Sequence, residues 1–257
     1  MSVILFEIKD SIAFITLNRP DKYNAFNREM ALLLQEKLDE CISNEVRCVV
    51  LQGAGKGFSS GQDLSAALDS KALDVSSIVK EQYNPIIKKI RSLQKPVIAA
   101  VNGVAAGAGA NIALACDIVV ASQSATFIQA FSKIGLIPDS GGTFFLPRFI
   151  GWQKASALMM TGEKVTSEEA EKMGMIYKVF PDDSFPDEVM KLATTISQMP
   201  TRGLAFTKMA LNESLFKQYE EQLHVEEVWQ ERAAKTFDFS EGVKAFIEKR
   251  KPIFKGE

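Results

Sequence analysis

Asp139 is the only acid in the stretch FIQAFSKIGLIPDSGGT, residues 127–143. It follows the apolar Leu136-Ile137-Pro138 and precedes Ser140-Gly141-Gly142, so it sits at the mouth of a turn from which a carboxylate can face a cavity. A carboxylate placed there can take up a proton and give it back. The same residues also make ordinary turn chemistry. Asp and Ser side chains bond nearby backbone amides, Gly tolerates positive φ, and either Asp139 or Ser140 suits the cap of a helix opening near Thr143.

Two glycine-rich stretches suggest a second kind of chemistry. Residues 53–64, GAGKGFSSGQDL, follow the apolar Val49-Val50-Leu51, and residues 102–111, NGVAAGAGAN, follow Val97–Val101. The first is not a Walker A loop, because no Ser or Thr follows Lys56, and it reads equally as a surface loop. Small residues opening an apolar helix, as in the second, allow close packing and also leave amides at the helix start bare for an anion or a carbonyl oxygen. Two such turns after successive strands suggest two amide donors converging on one oxygen.

Composition narrows the classes. With 257 residues, 46% hydrophobic and 24% charged, the chain is long enough for a large core. A net charge of -2 gives no electrostatic reason to expect nucleic acid. Cys41, Cys48 and Cys116 form no CxxC pair and read as buried thiols in a reducing compartment. His224 is the only histidine, which removes most support for histidine-built metal sites and for Ser/His/Asp triads. Glu7, Lys9 and Asp10 interrupt the first apolar stretch, so no signal peptide is expected and the location expected is cytoplasmic. The Val97–Ala121 run imitates a membrane span, but Asn102, Asn111, Asp117 and its glycines divide it into strand, turn, helix and strand.

The elements that must position these residues follow in order. Alternation in Val3–Glu7 and Ile12–Thr16 predicts an antiparallel hairpin about Asp10-Ser11. Met30, Leu33, Leu34, Leu38 and Cys41 recur at helical spacing from about Asn27, and Arg47–Leu51 reads as a buried strand. Residues 65–77 turn polar, as a mobile flap would be, and Val79–Leu93 reads as a helix with Pro85 in its first turn or kinking it. Further strands are predicted near 117–121, 125–129 and 174–179, with a helix starting at Ser167. Residues 1–200 are expected to form the core. Residues 201–257 read as amphipathic helices with more apolar surface than a lone hairpin hides, so they should dock on the body or on another subunit.

Taken together, these segments resemble the crotonase superfamily, the enoyl-CoA hydratase/isomerase fold. The resemblance rests on Leu17-Asn18-Arg19-Pro20 with Asn24-Ala25, on Gly57–Leu64, on Lys95–Gly103, on Gly135–Asp139 with Gly141-Gly142-Thr143, and on Glu241–Arg250. It implies an α/β spiral of repeated strand-strand-helix turns, a helical C-terminal trimerisation region, homotrimers or hexamers, and acyl-CoA thioesters as substrates. No separate cofactor or metal is implied, since coenzyme A is part of the substrate.

By motif position, the resemblance places the thioester oxygen on the backbone amides of Gln62 and Ala108 and the acid/base at Asp139. Around the substrate it places Lys22, Ala25, Ser60, Gly61, Asp63, Leu64, Tyr83, Gly107, Asn111, Phe131 and Pro138. Hydratases of this fold carry two glutamates, and here Asn111 and Phe131 stand at the matching positions. The expectation is therefore an isomerase moving a double bond from 3-enoyl-CoA to 2-enoyl-CoA, rearranging ring-1,2-epoxyphenylacetyl-CoA, or both. The alternatives are an enoyl-CoA hydratase and a non-catalytic acyl-CoA-binding protein on the same fold.

Overall fold

The structure, a computed structural model, describes residues 2–65 and 74–257. Strands β1 (Ile4–Lys9) and β2 (Ile12–Leu17) form the antiparallel hairpin, with Asp10 and Ser11 both at positive φ as a tight primed turn requires. Helix α1 (Arg28–Glu40) starts where Asn27 caps it, its side chain accepting from Met30 N at 2.9 Å. Strands β3 (Cys48–Gly53) and β4 (Gly57–Ser59) follow. A helical run then covers Val75–Ser77, a π-helical turn Ile78–Tyr83 and α2 (Asn84–Ser92), with Pro85 in the first turn of α2. Most of the stretch expected as a flap, residues 66–73, lies outside the described residues.

Next come β5 (Val97–Val101), β6 (Val104–Ala106), α3 (Ala108–Leu114), β7 (Ile118–Ser122) and β8 (Thr126–Ile128). The chain continues through α4 (Gly142–Ile150), α5 (Trp152–Thr161), β9 (Lys164–Thr166), α6 (Ser167–Lys172), β10 (Lys178–Phe180) and α7 (Phe185–Ser197). It ends in α8 (Thr201–Ser214), α9 (Tyr219–Ala234) and α10 (Phe237–Ile247).

One sheet has the order β1-β2-β3-β5-β7-β10 and a smaller one β4-β6-β8-β9. After β3, β5 and β7 the chain steps each time into the smaller sheet, so successive turns stack in parallel and build the α/β spiral. The central strands of the larger sheet are buried on both faces. Val49, Leu51, Ala99 and Val101 join the core with Met30 and Leu34 of α1, while Cys48, Val50, Ile98 and Ala100 meet Phe185, Val189 and Ala193 of α7. Burial on both sides is why these strands read as unbroken apolar runs, each large side chain contributing about 1.5–3 kcal/mol.

Two short strands depart from the sequence reading. β4 and β6 lie inside the glycine-rich stretches read only as turns. Each has three residues, too few to show an alternation. The cysteines are buried and unpaired, and burial pushes each thiol up to about 12, which leaves them inert. His224 sits exposed on α9 beside Glu227. Arg250, just beyond α10, pairs with Glu241 through two nitrogens at 2.7 and 2.8 Å.

Two polar clamps fix the geometry. Lys208 of α8, 5% exposed, reaches Asp117 at 2.8 Å and bonds the carbonyls of Ile90 and Lys95. Asp117 also accepts from Val97 N, so α8 is tied to the start of β5. Near the other end of the sheet, Arg19 donates to Asp63 at 2.8 Å and to the Ala25 carbonyl. Hydrogen bonds from Ser65, then Arg19, hold the Asp63 carboxyl down at about 2.

Lys208→Ala leaves the half-buried Asp117 with only the more distant Arg91 and strips the carbonyls of Ile90 and Lys95 of their donor, which should cost about 1–3 kcal/mol in urea unfolding. Asp63 has a depressed folded pKa, so its contribution is complete above the ordinary carboxylate value near 4 and fades as pH falls toward 2. The stability gap between wild type and Asp63→Asn should therefore close over that acidic window, as read by denaturant midpoints at stepped pH.

Candidate active site

The 61–62 turn and the 107–108 turn meet. Gly61 has φ +88°, and a side chain there would stand 2.8 Å from the Ala106 carbonyl and 3.4 Å from Ala108 N. That close approach brings Gln62 beside Ala108 and demands glycine. The chain after β4 is held by a parallel bridge to Phe26, in which Phe26 N donates to Gly61 O and Asp63 N donates to Phe26 O. That pattern passes over the amide of Gln62. Ala108 is the first residue of α3, so its amide has no helical acceptor. Among the described residues neither amide has a hydrogen-bond partner.

Both border a cavity of about 140 Å³ whose lining also includes Asp139. Leu64, Val75, Ile78, Val79, Phe131, Ile134 and Leu136 make the walls apolar. Asp139 is the only acid among the described lining residues. Larger clefts of about 1190 and 770 Å³ lie elsewhere on the surface, but neither contains these amides or Asp139.

The Asp139 loop is held by its backbone. The buried side chain of Asn111 donates to the Asp139 carbonyl at 2.9 Å and accepts from Gln129 at 2.8 Å. Gly142 N bonds the same carbonyl. Ser140, buried and at φ +51°, donates its hydroxyl to Asp139 Oδ1 at 2.9 Å. Burial pushes the Asp139 carboxyl above the usual carboxylate range, and the Ser140 hydroxyl pulls the other way.

Tyr83 is 1% exposed, and its hydroxyl donates to the Gln62 side chain at 2.5 Å. Burial first, and the nearby Asp139 charge second, push its pKa up, so it stays a neutral donor. The π-helical turn Ile78–Tyr83 presents this ring. Such turns recur at functional sites.

The structure brings together Ser60, Gly61, Gln62, Leu64, Tyr83, Gly107, Ala108, Phe131 and Asp139. Five residues expected around the substrate stand outside this cavity. Asn111 is fully buried and spent on the Asp139 loop. Asp63 turns to Arg19 and Ser65, because its carboxylate needs a cation that the apolar cavity lacks. Pro138 shapes the loop without lining the cavity, and Ala25 gives its carbonyl to Arg19. Lys22 is exposed on the neighbouring turn, where its carbonyl accepts from Ser60 Oγ. Val75, Ile78 and Val79 were missed, although their spacing of three and four is a helical signal. Ala130, Ile134 and Leu136 carry no such pattern.

Among the described residues, no group of three or more His, Cys, Asp or Glu is placed to hold a metal ion, and no helix is long and apolar enough to cross a membrane.

Comparison with known proteins agrees with this architecture. The family model described as enoyl-CoA hydratase/isomerase matches residues 7–257. A protein of Escherichia coli named 1,2-epoxyphenylacetyl-CoA isomerase is 42% identical, covering 100% of both chains. One of Rhodobacter capsulatus named "Probable enoyl-CoA hydratase" is also 42% identical, covering 98% of both. The crystal structure of an enoyl-CoA hydratase from Bacillus anthracis superposes with a TM-score of 0.92 at 30% identity, covering 99% of this chain and 100% of the other. The two unpartnered amides and the half-buried acid are thus carried on a crotonase fold, and the chain belongs to the enoyl-CoA hydratase/isomerase family.

Proposed function

We propose that this enzyme is an acyl-CoA isomerase in which Asp139 is the single acid/base. The observation that carries the reading is the placement of one half-buried carboxyl in the same apolar cavity as two unpartnered backbone amides. The thioester oxygen accepts from the amides of Gln62 and Ala108. Asp139 then removes a proton from the α-carbon of a 3-enoyl thioester, and the electron pair passes to the thioester oxygen as an enolate. Each aligned donor is worth about 3 kcal/mol to that charge. The same carboxyl returns its proton at the γ-carbon, leaving the 2-enoyl thioester.

Phe131, at the position where hydratases of the fold keep a glutamate, supports isomerisation over hydration. It gives the site an apolar wall and nothing to activate water. Asn111, at the other such position, is buried in the hydrogen bonds that hold the Asp139 loop. Ring-1,2-epoxyphenylacetyl-CoA is the second substrate proposed, supported by the name of the Escherichia coli relative. Self-association as a trimer or a pair of trimers is supported by the apolar side chains that α8–α10 leave exposed, Phe246 at 86% and Ile247 at 73% among them.

Asp139→Asn should lower 3-enoyl-CoA isomerisation by about 10²–10⁴-fold while thioester binding persists. Assaying crotonyl-CoA hydration and the ring epoxide beside it separates isomerase from hydratase; hydration matching isomerisation in rate, or turnover surviving the substitution, overturns the assignment.

A base must be deprotonated to act, so kcat/KM should rise with pH through a limb displaced above the ordinary carboxylate value. Ser140→Ala removes a bond that favours the charged form, and should move that limb to higher pH. The stability sign is opposite to that of Asp63. A carboxyl whose folded pKa is raised contributes stability at low pH that is lost as pH rises through it, so at neutral pH Asp139→Asn should melt no lower than wild type.

A further inference from the structure

A second site lies at the far end of α1. Phe26, just before that helix, bridges to Gln62, whereas Leu38 and Asp39 near its other end line the cleft of about 770 Å³. Thirteen residues separate the ends, about 20 Å of helix, so this cleft is distinct from the acyl cavity. Arg47, Lys89, Lys95, Arg202 and Lys255 line it against only Asp39 and Glu257.

Part of that charge is already settled. Lys89 pairs with Asp39, and the backbone oxygen of Glu257 accepts from Asp238 N at the start of α10. The rest is less so. Arg47 has the Asp238 carboxylate nearby, yet spends its donors on neutral oxygens, Thr201 Oγ1 at 2.9 Å and the carbonyls of Phe254 and Met199 at 3.0 and 2.7 Å. Among the described residues, Lys95 and Arg202 have no acidic partner within ion-pair distance. All three cations line the one cleft, and burial, then the charges of Arg47 and Arg202, pull the Lys95 ammonium below its ordinary range.

The backbone adds to this. Helix α8 has fourteen residues, begins at Thr201 behind Pro200 with no side-chain cap, and carries no acid in its first turn. Its first backbone bond runs from Leu204 N to Pro200 O, which leaves the preceding amides without a helical acceptor. Thr201 and Arg202 both line the cleft. An uncapped helix start beside uncompensated cations favours a multiply charged anion over a monovalent one.

We propose that this cleft binds a phosphate-bearing anion, held by Lys95, Arg202 and Arg47 at the open start of α8. The anion neutralises the mutual repulsion of the cations and takes the free amides of the helix. The inference does not depend on the isomerase reading. Two sources share this chemistry, a free phosphate compound and the phosphates of a coenzyme A thioester.

The test titrates inorganic pyrophosphate into the full chain by calorimetry at fixed ionic strength, with wild type beside the double variant Lys95→Met/Arg202→Met. Binding to wild type, weakened at least tenfold in the variant, is the expected result. No binding beyond that of matched sodium chloride, or equal binding by the variant, overturns the proposal. A second reading needs no variant: pyrophosphate should protect Lys95 from amine acetylation in intact wild type, as followed by mass spectrometry, and unchanged labelling overturns the site.

Kinetics identify the source. A higher KM in the variant for enoyl-CoA but not for the enoyl-pantetheine thioester marks coenzyme A as occupant, while an unchanged KM for both, with pyrophosphate binding lost, marks a free phosphate compound.

Discussion

Two backbone amides without acceptors among the described residues, held against an apolar cavity beside a half-buried carboxyl, are the constraint that the rest of this structure serves. An unsatisfied buried polar group costs about 1–3 kcal/mol, and a buried carboxylate also loses solvation. Neither survives in a site free to relax. The amide of Gln62 stays free because its neighbours on both sides are bound to Phe26 and because Gly61 admits Ala106 at close range. The carboxyl of Asp139 stays in the cavity because Asn111 and Gly142 hold its carbonyl while Ser140 holds one of its oxygens. One carbonyl oxygen placed between them would accept from both donors at once.

The spiral supplies the stiffness this requires. The two free amides belong to successive turns, one following β4 and the other following β6, and those strands are neighbours in the smaller sheet. Their spacing is therefore set by sheet geometry rather than by loop conformation. The larger sheet, its central strands buried on both faces, anchors each turn, and the tie from Lys208 to Asp117 extends that anchoring to the C-terminal helices. The polar groups that fix the fold, Arg19 with Asp63 and Lys208 with Asp117, lie outside the cavity. Among the described residues, that separation leaves Asp139 without a nearby cation to hold its proton affinity down.

The relation between sequence and structure differs from residue to residue. Asn27 and the Met30, Leu34, Leu38 series announce α1, because capping and amphipathic spacing are local properties. The hairpin turn at Asp10-Ser11 was legible for the same reason. β4 and β6 were not, since three residues are too few to carry a period. Asn111 was expected near the substrate and instead braces the Asp139 loop. Nothing in its neighbours on α3 names Gln129 or Asp139 as its partners, which lie 18 and 28 residues away. Asp63 was likewise expected at the site, and its partner Arg19 lies 44 residues earlier.

The sequence by itself determined the alternation of apolar strands and helices, the glycine-rich turns after two of the strands, and a lone acid in a turn, because each is written in neighbouring residues and in the φ/ψ freedom of their types. Tertiary structure alone decided that the two turns meet, that the acid is desolvated in their cavity, and that Arg47, Lys95 and Arg202 crowd together. Those are relations between segments distant in sequence. Only strand register, layer packing and the loss of water around a group fix them, and no local pattern encodes any of the three.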